Sequence, residues 1–299
     1  MEFEREFIVI GNTIQIRYYG IIIVLAMLVA AWIAARLAKR DGKDPDHVWG
    51  ALTWAIIPAI IGARLWFVLF PPAELVRQGM DTGWFLQNFG NLQNGPLAIW
   101  SGGLGIFGAV LGGMLGAYIY FRRNKLSVPY WLDIAGVAIP VGQAIGRWAN
   151  YVNQELYGTP TTLPWGITID TAHRVDPYRS LVDFPVETRF HPLFLYESIA
   201  NLLIFGVLFY LFQRRRRFNL RVGDIFLFYV MSYAVVRFLL EFLRVEIAWV
   251  PGTTTNSSQT ATVVMFVVAL VLFFIRRRSA PLAEEAVEPP APTTEKRRV

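Results

Sequence analysis

The phrase GRWANYVNQELYG, Gly146 to Gly158, closes the apolar run WLDIAGVAIPVGQAI with Arg147, Asn150, Asn153, Gln154 and Glu155. Further along, Tyr233, Arg237, Glu241 and Arg244 follow the spacing i, i+4, i+8 and i+11, which lines them along one helical face. Guanidinium groups grip phosphate oxygens through paired hydrogen bonds. Two sets of arginines with carboxylates and amides therefore offer the chemistry of holding a phosphate-bearing anion. The plainer alternative is an Arg237–Glu241 ion pair that only ties helices together, since buried pairs are weak signs of function.

The elements that hold these residues are membrane helices. Of 299 residues, 55% are hydrophobic and only 17% charged, and the mean hydropathy is positive, which is the composition of a polytopic membrane protein. At about 20 apolar residues per crossing, spans are expected at 15–37, 48–70, 98–121, 129–149, 192–213, 222–243 and 258–275. The net charge of +6 does not call for nucleic acid. Its basic residues fall after alternate spans, at Arg36–Lys43, Arg122–Lys125, Arg214–Arg221 and Arg276–Arg278. By the positive-inside rule the N-terminus and the loops 71–97, 150–191 and 244–257 face outward, and the C-terminus is cytoplasmic. The first span is expected to persist as a helix, because Glu2 and Glu4 precede it and its basic cluster follows, the reverse of a cleaved signal. The expected class is an all-α polytopic membrane protein of about seven transmembrane helices. One membrane domain covers 1–278, with a small extracytoplasmic cap of turns and short strands at about 150–191. A Pro-, Ala- and Glu-rich disordered cytoplasmic tail follows at 279–299.

With directions assigned, the costly polar residues gather on one side. Arg17, Tyr18 and Tyr19, Arg64, Arg147 with Asn150, His191, Tyr196 and Glu197, and Tyr233, Arg237 and Glu241 all fall in outer halves, whereas Asp133 and Asp224 fall at inner ends. A central intramembrane arginine costs about 2.5–3.5 kcal/mol on insertion scales, so such residues face a cavity or a partner. Glu197 and Glu241 are too few to neutralise Arg17, Arg64, Arg147 and Arg237, and the expected surplus calls for an anion, most simply a phospholipid phosphate. Arg64 reads equally well as a packing or snorkelling residue.

Other signals carry less. Gly103-Leu104-Gly105-Ile106-Phe107-Gly108 matches GxGxxG but lies in an apolar span without a preceding strand, so it reads with Gly112, Gly113 and Gly116 as close helix packing. Pro58 and Pro140 are expected to kink their spans. His47 and His173 read as surface residues, while His191 is as compatible with a helix-start role as with a site. The absence of cysteine excludes disulfides and a protein-borne catalytic thiol. No metal and no cofactor is expected.

GRWANYVNQELYG, then HPLFLYES at His191 to Ser198, then YAVVRFLLEFLR at Tyr233 to Arg244, in that order, resemble the bacterial prolipoprotein diacylglyceryl transferase family over nearly the whole chain. The resemblance implies transfer of a diacylglyceryl group from phosphatidylglycerol to the lipobox cysteine of a lipoprotein precursor, giving a thioether and glycerol phosphate, in the bacterial cytoplasmic membrane. It implies that Arg147, Asn150, Glu155 and Gly158 form the signature and that Arg237 is a second essential arginine. Tyr19, Tyr196, Glu197, Tyr233 and Glu241 belong to the family's polar set. On this reading Arg147 and Arg237 clamp the phosphate, Asn150 and Tyr19 orient the head group, and Glu155 or Glu241 positions an arginine.

Two departures stand out. Some relatives carry a histidine in the glycine-rich phrase that reads SGGLGIFGA here; Phe107 is read at that position, with no histidine nearby, so a histidine-base mechanism does not carry over. The signature's usual Arg-x-Gly-Asn is Arg147-Trp148-Ala149-Asn150. A carrier or binder of anionic lipids is the alternative from another class, but it would call for polar lining through the inner half or repeat symmetry, and the chain offers little of either.

Overall fold

The computed structural model describes residues 2–3, 7–10, 14–99, 102–247, 249, 253–280 and 282. Most of the expected 279–299 tail lies outside them. Helices dominate the described residues: α1 (Tyr18–Arg40), α2 (Asp46–Leu69), α3 (Ala73–Arg77), α4 (Thr82–Gln87), α5 (Ile106–Arg123), α6 (Val128–Val152), α7 (Leu193–Gln213), α8 (Asp224–Glu241) and α9 (Ser257–Arg276). The short strands β1 (Glu2–Phe3), β2 (Phe7–Ile10) and β3 (Ile14–Arg17) form an antiparallel meander, and β4 (Ile167–Thr168) pairs antiparallel with β5 (Arg189–Phe190). The all-α polytopic membrane class holds. Among the described residues, α1, α2, α6, α7 and α9 are long and apolar enough to cross a membrane. α5 and α8 have 18 residues each, and α8 carries Asp224, Arg237 and Glu241, which dilute its apolar content.

Several expected boundaries shift, two of them with a visible local cause. The first helix begins at Tyr18 rather than 15, because β3 runs to Arg17. The third begins at Ile106 rather than 98, because Gly102 and Gly103 adopt φ of 87° and 68°, a left-handed backbone open to glycine and incompatible with a helix.

The chain divides into two compact units, Asp44–Val128 and Met1–Lys43 with Pro129–Val299. In the first, α2 and α5 pack with their backbones almost touching. A Cβ on Gly62 would run into the carbonyl oxygen of Gly108 and the reverse, and one on Gly112 or Gly116 would meet the carbonyls of Pro58 or Trp54. Of the false nucleotide fingerprint, Gly108 serves this helix packing, whereas Gly103 and Gly105 lie before α5. Gly62→Val is expected to destabilise this pair by about 1–3 kcal/mol through overpacking. Gly113→Ala, whose added carbon would sit 3.6 Å from the Ala59 Cβ, is expected to be tolerated; thermal unfolding of both variants in detergent checks the pair.

In the second unit, carboxylates at helix ends are structural. Asp133 accepts the amides of Gly223 (2.6 Å) and Phe226 (2.9 Å), capping the N-terminus of α8 with its carboxyl oxygens. Asp41, just past α1, accepts from Tyr130 (3.0 Å) and Arg215 (2.8 Å), joining α1, α6 and the end of α7. Between α6 and α7 the chain forms turns and the short β4–β5 pair. Its core is Tyr157, Ile169 and Phe190. Arg174 is fully buried and donates to the carbonyls of Ile169, Phe184, Pro185 and Val186. Burial pushes the Tyr157 hydroxyl above its usual range, opposed by the Val175 amide that donates to it at 2.7 Å.

Candidate active site

α6, α7 and α8 bring the two polar phrases together. Arg147 and Asn150, three residues apart near the end of α6, share a face, as do Arg237 and Glu241 on α8. Ser198 donates to the Ala144 carbonyl at 2.9 Å and locks α7 against α6 at the same level. Glu197, one residue earlier, then lies between both arginines: it is paired with Arg147 through Nε and stands 3.9 Å from Arg237 Nη1. Arg237 Nη2 reaches Glu241 at 2.8 Å, and Arg244 approaches the same carboxylate at 3.8 Å. Glu241 is 2% exposed and also accepts from Asn256 at 3.2 Å. At the other end, Arg147 Nη1 donates to Asn150 Oδ1 (3.3 Å), and Asn150 Nδ2 donates to Glu155 Oε1 (2.7 Å). One chain of contacts therefore runs Arg244–Glu241–Arg237–Glu197–Arg147–Asn150–Glu155.

This arrangement revises the charge count. The expected surplus of arginines does not hold. Arg64 directs its donors at backbone carbonyls of Gly95 (2.6 Å), Pro96 (2.8 Å), Gly102 (2.7 Å) and Gly103 (3.0 Å), so its buried guanidinium organises the turn before α5. Arg17 ends β3 and is exposed. In the chain of contacts, Arg147, Arg237 and Arg244 are matched by Glu155, Glu197 and Glu241. What favours an anion is geometric instead: the bonds of Arg147 among the described residues use Nε and Nη1, which leaves the Nη2 donors of its planar fork for a phosphate.

The remaining candidates surround this chain. Tyr19, at the start of α1, lies within electrostatic reach of Glu155 and Arg147. Tyr233 stands one turn before Arg237, its ring 6.2 Å from that of Tyr229. The Tyr196 hydroxyl accepts from Trp165 Nε1 at 2.8 Å and lies 3.0 Å from His191 Nδ1, so His191 has a partner rather than a bare helix-start role. Gly158 joins all three motifs: its amide donates to the His191 carbonyl (2.9 Å), it bridges to Arg244, and its neighbour Thr159 donates to the Leu243 carbonyl (2.8 Å). Glu241 contacts the guanidinium of Arg237. Glu155 bonds the Asn150 amide instead of a guanidinium. Gln154 turns away, exchanging bonds of 2.5 and 2.8 Å with Asp170. Asn256 and Trp165 escaped the sequence reading, and Arg244 was visible there only as part of a helical face.

The family model for prolipoprotein diacylglyceryl transferase matches residues 6–275. The chain belongs to this family. The phosphatidylglycerol–prolipoprotein diacylglyceryl transferase of Chloroflexus aggregans is 38% identical over 249 residues, covering 81% of this chain and 76% of that protein. The proteins of the same name from Finegoldia magna (36% over 233 residues, 78% and 81% covered) and Acaryochloris marina (37% over 235 residues, 79% and 78% covered) are similarly close. Measured against the diacylglyceryl transferase signature, Ala149 is fully buried within α6, a position with no demand for glycine's freedom. Phe107 is 65% exposed with its ring 5.3 Å from that of Trp66, an apolar packing position on α5.

Proposed function

We infer that this protein is an enzyme that transfers the diacylglyceryl group of phosphatidylglycerol to the thiol of a lipobox cysteine in lipoprotein precursors, the first step of lipoprotein maturation. The observation that carries the reading is the chain of contacts from Arg244 to Glu155, which ties the three motifs into one polar site on membrane helices. Sulfur attacks the glycerol carbon as a thiolate. The carbon–oxygen bond to phosphate breaks, a thioether forms and glycerol phosphate leaves. Negative charge grows on the departing phosphate, and fixed guanidiniums in a poorly hydrated cleft stabilise that charge without reorganising. Arg147 and Arg237 take this role, with Glu197 between them setting their separation and Glu241 holding Arg237. Asn150, Tyr19, Tyr196 and Tyr233 orient the head group, and Gly158 permits the close approach of the backbone segments beside it.

The protein is read as a resident of the bacterial cytoplasmic membrane with seven spans within 1–278. Its N-terminus is outside and the 279–299 tail cytoplasmic. The cap of about 150–191 and the site lie toward the outer leaflet. The basic clusters after alternate spans support that orientation. The test is incubation of the purified protein in nanodiscs with phosphatidylglycerol and a lipobox peptide, followed by mass spectrometry. A diacylglyceryl adduct on the cysteine with released glycerol phosphate is expected. Lipid binding without an adduct would replace the enzyme by a carrier.

A further inference from the structure

We propose that Glu155 is the group that takes the proton from the attacking thiol. The proposal rests on the transferase reading, which requires a proton acceptor because a cysteine thiol, with a free pKa of about 8.5, is mostly protonated at neutral pH. The carboxylates of the site divide sharply. Glu197 lies between Arg147 and Arg237, and buried Glu241 is held by Arg237, Arg244 and Asn256. Protonating either would strip guanidiniums of their counter-charge. Among the described residues, Glu155 alone has an amide, not an arginine, as its hydrogen-bond partner, and it is exposed where the other two are buried.

Its placement is built rather than incidental. Arginine only donates, so the Asn150 oxygen must face Arg147 and its NH2 must face Glu155. The amide thus fixes the carboxylate one residue away from the phosphate clamp and occupies Oε1, leaving Oε2 without a partner among the described residues. The backbone on either side is in the left-handed region, with Gln154 at φ 50° and Leu156 at φ 57°. Side chains other than glycine hold such angles only where surrounding bonds impose them, and Gln154 is pinned by its bonds to Asp170. The turn therefore presents Glu155 in a single direction. Of the histidines, only His191 lies in the motifs, and its Nδ1 is engaged with Tyr196.

The step balances. The S–H bond breaks and its proton passes to a Glu155 oxygen. The sulfur pair forms the bond to the glycerol carbon, whose bond to the phosphate oxygen breaks with its electrons. The proton held on Glu155 then passes to the departing glycerol phosphate.

Glu155→Gln keeps the Asn150 bond and removes the base. In nanodiscs containing phosphatidylglycerol, its transfer rate to a lipobox cysteine peptide is expected to fall about 10²–10⁴-fold, with unchanged lipid binding. A selenocysteine version of the peptide, already ionised at neutral pH, should recover most of that loss. Glu155→Asp, which retains a carboxylate, should recover part of the cysteine rate. An equal loss with both nucleophiles would make Glu155 a positioning residue and overturn the proposal, as would a near wild-type rate for Glu155→Gln with cysteine. Failure of the wild-type protein to form any adduct would instead overturn the transferase reading.

Discussion

Arg237→Ala is expected to lower the rate of diacylglyceryl transfer about 10²–10³-fold, the cost of removing one fixed donor from a charge developing in a dry site. It should also destabilise the protein. Arg237 is the near partner of Glu241, at 2.8 Å, and Glu241 is 2% exposed. Removing one member of a buried pair costs about 3–5 kcal/mol when the other charge is left uncompensated, and Arg244 at 3.8 Å with Asn256 at 3.2 Å offsets only part of this. The two effects separate in the double variant Arg237→Ala, Glu241→Gln. Neutralising the orphaned carboxylate should restore the unfolding temperature toward wild type while leaving transfer low. Arg237→Lys should fall between, because an ammonium keeps the charge but loses the planar fork. Initial rates and thermal unfolding on the same preparations check all three. Near-normal turnover in either alanine variant would remove Arg237 from the phosphate clamp.

The helices were legible because hydropathy is a local property. α1, α2, α6, α7 and α9 fall within a few residues of the apolar runs that announce them. The position of the arginines along their helices was equally readable, since it follows from the sequence of a span. Their partners were not. Arg64 has the composition signal of a ligand-binding arginine, yet its acceptors are backbone carbonyls between Gly95 and Gly103, about which side-chain patterns say nothing. The surplus of positive charge failed for the same reason: Glu155 lies past the end of its span and was not counted with the intramembrane carboxylates. Asn256 caps α9 through Gln259 at 3.1 Å, which a TNSSQ phrase signals, but its reach to Glu241 depends on how α8 and α9 pack. Sequence periodicity assigns faces; it does not say which face meets which.

Gly158→Ala tests whether the junction of the three motifs governs the site. Gly158 is absent from the residues with positive φ, so an alanine there would meet no backbone prohibition. The obstacle is space. An added Cβ would lie 2.8 Å from the His191 Cβ, 2.9 Å from the Leu243 carbonyl oxygen and 3.2 Å from Leu193 Cγ. The first two belong to rigid parts of their segments and cannot swing aside. Overpacking of this kind costs about 1–3 kcal/mol, and relief requires the 243–244 segment or the segment at His191 to move away. Either shift reaches the chemistry, because Arg244 follows Leu243 and Tyr196 contacts His191. A modest fall in unfolding temperature is therefore expected together with a loss of transfer larger than unfolding explains, read as a lowered rate at temperatures where the variant is fully folded. Gly146→Ala supplies the control within the same phrase. Its added carbon would stand 3.5 Å from Ile23 Cδ1, an ordinary contact, and alanine is favoured over glycine inside a helix by about 1 kcal/mol. It should keep wild-type activity and unfold no earlier. If Gly158→Ala also keeps full activity, the segments at the junction have room to yield without disturbing Arg244 or Tyr196, and the site's geometry must be set by the helices α6, α7 and α8 alone.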